Sequence, residues 1–183
     1  MNDEKELIAD FRKGKSKAQK KVFEMHASAM LAVCIRYVGD RETARDLLQD
    51  GFIKVFEKAE SFSGEGSLGG WIRRIMVNIT LEYLRQKDAL KMSSSIDDYH
   101  ESFASHEVSA LEKISTNELL ACVAQLPDGF RTVFNLYAIE GYSHSEIAGI
   151  MNISEGTSRS QYMRARNTLQ KKVQLLMKVN NGK

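Results

Sequence analysis

The sequence has little of what marks several large protein classes. It has one proline, two cysteines without a CxxC spacing, and no apolar run near the roughly 18 residues that a membrane span requires. The N-terminal stretch MNDEKELIADFRKGKSKAQKK lacks the apolar core of a signal peptide. These absences argue against a disulfide or zinc framework and against a membrane span. They predict a cytoplasmic location, with Cys34 and Cys122 as buried, reduced thiols.

Catalytic patterns are missing as well. The four histidines are scattered along the chain, and it contains no HExxH, GxSxG or phosphate-loop motif. His100 and His106 could bind a metal, but a solvated tether explains their polar surroundings better. We therefore predict that the chain is not an enzyme and has no cofactor, no metal site and no small-molecule substrate.

What the sequence does contain is apolar residues at repeated spacings of three and four, which predict an all-helical protein. Four glycines between Ser61 and Gly70 predict a loop. Helices are predicted over Lys17–Val38, Glu42–Lys58, Trp71–Lys91, Leu111–Leu126, Asp128–Ile139, Ser143–Met151 and Ser154–Met177.

Charge is distributed unevenly, although the net charge is only +2. The segment from Met92 to Glu112 carries five acidic residues and no basic one, whereas seven basic residues and no acidic one follow Gly156. The acidic segment also lacks a sustained apolar stripe. We therefore predict two small helical domains, 1–91 and 111–183, joined by an acidic flexible linker over 92–110.

The stretch YSHSEIAGIMNISEGTSRSQYMRAR has the pattern of a helix-turn-helix. Ser143 and Glu146 form a capping-box pattern before one short helix, and Asn152 tolerates the left-handed backbone of a tight turn. Ser154 can then cap a second helix, which in this motif enters the major groove of DNA. An ordinary helical hairpin with a solvated basic end is the alternative for this stretch alone.

Two longer stretches resemble the extracytoplasmic-function class of bacterial sigma factors. LPDGFRTVFNLYAIEGYSHSEIAGIMNISEGTSRSQYMRARNTLQKK resembles their promoter-binding C-terminal domain. DLLQDGFIKVFEKAESFSGEGSLGGWIRRIMVNITLEYLRQK resembles their N-terminal domain, in the expected order. The chain departs from the usual pattern at Ser158, where an apolar residue is common, and at Gln161, where a basic residue is common.

The resemblance assigns a partner to the helix that contains DLLQDGFIKVF. Its polar side would be an ordinary solvated face on composition alone. In the family the matching helix docks on the β′ clamp of RNA polymerase, whose core also includes β. The resemblance thus implies polymerase-binding roles for Asp46, Gln49, Asp50 and Lys54.

The resemblance also implies two DNA-binding surfaces. The glycine-rich loop and the helix after it would bind the −10 element, where a base is extruded, through Ser63, Ser67, Trp71, Arg73, Arg74, Asn78 and Arg85. From the residues alone, Trp71 is interpreted as a core residue, with stacking on DNA as the alternative. The recognition helix would bind the −35 element through Glu155, Thr157, Ser158, Arg159, Gln161, Arg164 and Arg166.

These observations lead to one function and one alternative. We predict a sigma factor that binds core RNA polymerase and promoter DNA, with −10 melting and −35 recognition. Many relatives also bind an anti-sigma factor, and the linker would be either a solubilising tether or an occupant of the RNA path in polymerase. The alternative is a self-sufficient transcription regulator with an N-terminal sensor or dimerisation domain.

Overall fold

The computed structural model describes residues 2–91 and 116–181, and helices make up most of both ranges. The helices are α1 (Asn2–Arg12), α2 (Ser16–Val38), α3 (Arg41–Glu57), α4 (Leu68–Lys91), α5 (Thr116–Ala124), α6 (Asp128–Phe134), α7 (His144–Met151) and α8 (Glu155–Asn181). A 3₁₀ turn, Ala59–Ser61, follows α3, and a π-helical segment, Asn135–Ile139, follows α6. No strand occurs in either described range, and the prediction of an all-helical fold is confirmed.

The chain forms two compact units, Met1–Tyr83 and Leu84–Lys183. The boundary between these units falls within α4, and the predicted domain limits stay predictions. The predicted linker over 92–110 lies outside the described residues, and so do His100 and His106. Within the two described ranges, no helix is long and apolar enough to cross a membrane.

The break between α2 and α3 follows the predicted Gly39-Asp40 pair. Gly39 ends α2 in the left-handed region with a φ of 74°, and its N–H donates to the carbonyl of Ile35. The Asp40 carboxylate then accepts a 2.7 Å hydrogen bond from the Thr43 N–H and caps α3. This close succession of caps turns the chain back on itself, so that α2 and α3 pack together.

Helix α1 was not predicted, yet it contributes to the core of the first unit. Its Phe11 is fully buried together with residues of α2, α3 and α4, among them Val22, Cys34, Tyr37, Val55, Ile72 and Met76. Helices α3 and α4 approach each other closely at Gly51. A Cβ at that position would overlap the Met76 sulfur and lie 2.7 Å from its Cε, so a side chain there would require the end of the buried Met76 side chain to move.

The glycine-rich loop is shorter than predicted. Helix α4 begins at Leu68, so Gly69 and Gly70 are helical rather than part of the loop. The helix starts there because the Ser67 hydroxyl accepts a 3.0 Å hydrogen bond from the Gly70 N–H. Only Gly64 and Gly66 of the four glycines use the left-handed region, with φ of 88° and 76°.

A buried arginine joins α5 to α6 in the second unit. Arg131 is 4% exposed. Its Nη1 donates to the carbonyls of Ala124 at 2.8 Å and Leu126 at 2.9 Å, and its Nη2 donates to the Asp128 carboxylate at 2.6 Å. The guanidinium thus satisfies carbonyls that the end of α5 leaves without helical partners. The surrounding core contains Leu126, Val133, Leu136, Ile147, Ala165 and Val173.

Candidate nucleic-acid interface

Helices α7 and α8 form the helix-turn-helix that the sequence predicts. The capping box is present at the start of α7: the Ser143 hydroxyl accepts from the Glu146 N–H at 3.2 Å, and the Glu146 carboxylate accepts from the Ser143 N–H at 2.8 Å. Asn152 ends α7 in the left-handed region, with φ 53° and ψ 46°. The predicted cap and turn are therefore both confirmed.

The start of α8 is fixed by a second cap. The Ser154 hydroxyl accepts a 3.0 Å hydrogen bond from the Thr157 N–H and lies 2.8 Å from the Thr157 hydroxyl. The Ile153 N–H donates to the carbonyl of Ala148 at 3.1 Å, which ties the turn to α7. Because both sides of the turn are bonded, the first residues of α8 have a defined direction.

The residues predicted to bind the −35 element do not all face the same way. Glu155 and Arg159 are exposed and form an ion pair one turn apart, and Arg166 is exposed further along α8. Thr157, Gln161 and Arg164 are half-buried. The side chain of Gln161 packs toward α6, where its Oε1 lies 3.4 Å from the position that a Cβ on Gly129 would take.

The prediction that Ser158 contacts the −35 element is wrong. Its side chain is fully buried, and its Oγ lies 3.0 Å from Nδ1 of His144 at the start of α7. A hydroxyl enclosed in this way cannot reach a base edge, so Ser158 belongs to the packing between the two helices.

His144 was not predicted as part of any site. Its ring is buried and stacks on Tyr137, with centroids 4.2 Å apart and planes 9° apart. Burial lowers the pKa of His144 from its ordinary value of 6.5, and the charge of Arg159 acts in the same direction while Glu155 opposes it. A histidine one residue after a helix cap gave no sequence signal for this environment.

The polymerase-binding prediction falls on one exposed side of α3. Its four residues are all exposed: Asp46, Gln49, Asp50 and Lys54. Lys54 forms an ion pair with Glu82 of α4 at 3.4 Å. Ile53, which was not among the predicted residues, is 55% exposed beside them and supplies an apolar centre to the polar face.

Helix α4 carries an exposed polar row on the side away from the core. Arg74, Asn78 and Arg85 are exposed at spacings of four and seven residues, which places them along one face of the helix. Arg73 is half-buried beside this row. The face therefore offers two guanidinium groups and one amide to a ligand.

The remaining residues of the −10 prediction lie at the start of α4 and in the loop before it. Ser63 and Ser67 are exposed, and each hydroxyl accepts a local backbone hydrogen bond. Trp71 is half-buried, with its ring 6.4 Å from that of Phe11 and 5.4 Å from that of Phe62. These contacts favour the core interpretation of Trp71 over stacking on DNA.

Comparison with known proteins identifies the two halves of the chain. The family description "Sigma-70 region 2" matches residues 22–90, and "Sigma-70, region 4" matches residues 116–169. The ECF RNA polymerase sigma-E factor of Escherichia coli (strain K12) is 30% identical over 182 residues, which cover 94% of this chain and 95% of that protein. The same factor of Haemophilus influenzae is 30% identical over 183 residues, covering 93% and 95%.

A solved structure is similar along most of the chain. The sigma factor RpoE of Bartonella quintana, in complex with the anti-sigma factor NepR, has a TM-score of 0.51 and 25% identity, and the match covers 85% of this chain and 96% of that one. The presence of both sigma-70 regions favours a sigma factor over the self-sufficient regulator. The chain belongs to the extracytoplasmic-function family of RNA polymerase sigma factors, which bind core RNA polymerase and direct transcription initiation from promoters.

Proposed function

We propose that each half of the chain performs a separate part of promoter recognition. Residues 1–91 bind core polymerase and the −10 element, residues 111–183 bind the −35 element, and residues 92–110 link them. The protein acts in the cytoplasm and catalyses no covalent reaction itself. The observation that carries this proposal is the capped helix-turn-helix, which presents Glu155 and Arg159 side by side at the exposed start of a basic helix.

Readout of the −35 element depends on Arg159 in this proposal. Its side chain is 63% exposed, and its guanidinium is held beside Glu155 rather than buried. An arginine at this place in a recognition helix can donate two hydrogen bonds to a guanine edge. The exposed Arg166 and the half-buried Arg164 lie further along α8 and contact phosphates, which carry no sequence information.

The test is transcription by core polymerase with the full chain on a library randomised at both promoter elements. Arg159→Ala is expected to weaken binding by about 1–3 kcal/mol on the preferred −35 sequence and to relax the preference at one position. Lys178→Ala is the matched control, because Lys178 is an exposed basic residue on the same helix beyond the region 4 match. Equal effects of the two variants on every promoter sequence would show that α8 binds DNA without sequence preference.

The −10 element is bound by the exposed row Arg74, Asn78 and Arg85 together with the loop over 62–67. The two left-handed glycines of this loop leave its backbone open to an extruded base, whose hydrogen-bonding edge an amide can address. Exchanging the loop for that of a relative is expected to change the −10 preference and to leave the −35 preference unchanged. A chimera that changes only the −35 preference would contradict this assignment.

The exposed face of α3 binds the β′ clamp, with Ile53 at its centre and Asp46, Gln49, Asp50 and Lys54 around it. Ile53→Ala combined with Asp50→Ala is expected to reduce capture of core polymerase in a pull-down by about tenfold, since interface centres carry most of the binding energy. Substituting the exposed Lys20 and Glu24 of α2 by alanine is the control. Undiminished capture by the α3 variant would place the polymerase contact elsewhere.

An anti-sigma factor is a further proposed partner. The support is the Bartonella quintana sigma factor, whose structure is a complex with the anti-sigma factor NepR. Co-purification of the chain from its own cells, followed by mass spectrometry of bound proteins, tests this proposal. Recovery of core polymerase subunits without any second partner under inducing and non-inducing conditions would contradict it.

A further inference from the structure

A buried polar contact connects the two helices of the helix-turn-helix. His144 is the first residue of α7, and Ser158 lies one turn inside α8. The His144 Nδ1 and the Ser158 Oγ are 3.0 Å apart, and which atom donates depends on the histidine tautomer. The two side chains are 9% and 0% exposed, so water does not compete readily for this bond.

The His144 ring is also held by aromatic side chains from two other places in the unit. One face stacks on Tyr137 of the π-helical segment, and Tyr162 of α8 lies 5.8 Å from the ring. Tyr162 in turn packs on Tyr137 at 4.6 Å and on Phe134 at 6.2 Å. The histidine thus contacts the segment before α7 and two successive turns of α8.

Because of the position of Ser158, this contact also affects the direction of the exposed side chains of α8. Ser158 precedes Arg159 and lies three residues after Glu155, so fixing Ser158 inward fixes the direction in which both charged side chains point. A rotation of α8 by about 10° would displace an atom roughly 6 Å from the helix axis by about 1 Å. A displacement of that size is enough to spoil a bidentate hydrogen bond to a base.

We propose that His144 is a positioning residue for −35 recognition, which fixes the rotation of α8 through its hydrogen bond to Ser158 and its stack on Tyr137. The inference rests on the proposed −35 readout by α8. A buried polar pair tolerates few alternative arrangements, because a rotated helix would leave two enclosed polar atoms without partners. An apolar contact at the same place would hold the helices together but would permit sliding.

The charges that face His144 agree with this role. Arg159 and Glu155 act on the ring from α8 in opposite directions, and burial lowers its pKa further. The ring is therefore neutral at neutral pH, and a neutral imidazole has one donor and one acceptor nitrogen. One nitrogen bonds Ser158 without placing an unpaired charge in the interior.

The test uses the full chain bound to core polymerase and the promoter library described above. Ser158→Ala removes one oxygen atom, His144→Phe keeps a stacking ring without the polar atom, and His144→Asn keeps a polar atom near Nδ1. We expect Ser158→Ala and His144→Phe to lower discrimination between the best and second-best −35 sequences about threefold to tenfold. The −10 preference should not change, and His144→Asn should retain more discrimination than His144→Phe.

Arg159→Ala in the same experiment separates failure of the inference from failure of the proposed function. If Arg159→Ala changes the −35 preference and Ser158→Ala does not, the positioning role is refuted and the −35 readout stands. If neither changes it, both are refuted. A uniform loss of transcription on all promoters by the His144 and Ser158 variants would show a purely structural contact, and Ser158→Ala keeps the test valid should the histidine variants not fold.

Discussion

Replacing Arg131 with methionine tests whether one buried guanidinium holds the α5–α6 junction together. Methionine fills much of the same space but cannot donate a hydrogen bond. The change therefore leaves the carbonyls of Ala124 and Leu126 without their donor and removes the ion pair with Asp128.

The magnitude follows from the three bonds. Each carbonyl bond to a charged donor contributes about 1.5 kcal/mol or somewhat more, because the acceptor would otherwise be enclosed without a partner. The Asp128 side chain is 26% exposed, so water can solvate it, and its pair with Arg131 adds about 1 kcal/mol at most. The free energy of unfolding should fall by about 3–4 kcal/mol, a large part of the usual 5–15 kcal/mol for a domain.

Hydrogen exchange of the backbone amides of α6 in increasing urea measures this loss, with the amides of α2 as an internal reference. Asp128→Asn is the matched control, because it keeps an oxygen acceptor for Arg131 while it removes the charge. The change also removes the 3.3 Å ion pair of Asp128 with Lys87, and it should cost about 1 kcal/mol. A loss below about 1 kcal/mol for Arg131→Met would refute the reasoning, since it would mean that the two carbonyls find other partners at little cost.

Three further predictions concern packing and protonation. Gly51→Ala should cost about 1–3 kcal/mol of unfolding free energy by urea denaturation, and less in a Met76→Ala background, because the added Cβ would overlap the Met76 sulfur. Burial lowers the pKa of His26 and His144, so below pH 6.5, the ordinary histidine pKa, the unfolded chain binds protons more readily than the folded chain. The free energy of unfolding should therefore be constant above pH 6.5 and should fall as the pH drops below it. His144→Phe should flatten part of that slope, and an unchanged slope would contradict the assignment. Burial raises the pKa of Cys34 to about 11, so iodoacetamide at pH 8 should label it only after unfolding, as peptide mass spectrometry can show.

The sequence predicted those features whose cause is local. The break at Gly39, the capping box of Ser143 and Glu146, and the left-handed turn at Asn152 each depend on a few neighbouring residues, and all three are present. The long helices agree with the predicted ranges to within a few residues at most ends. Helix α1 was missed although Leu7, Ile8 and Phe11 have helical spacing, and the place of Phe11 in the core depends on its contacts with other helices.

The features that the sequence did not predict depend on contacts between elements. Gly69 and Gly70 looked like loop residues, but the Ser67 cap places the start of α4 before them. Ser158 looked like a surface residue because periodicity alone does not say which side of α8 faces α7. The His144 contact joins residues 14 positions apart through three-dimensional packing, and no short motif contains it.

The same separation of 14 positions bears on how quickly the helix-turn-helix can form. An isolated helix of eight residues is too short to persist in water, yet α7 is closed at one end by a capping box and at the other by a left-handed residue. Its contact with α8 requires closure of only a short length of chain, which costs little entropy and takes well under a microsecond in an unfolded polypeptide. The DNA-reading motif is therefore expected to be among the earliest parts of the chain to fold, ahead of contacts that join more distant helices.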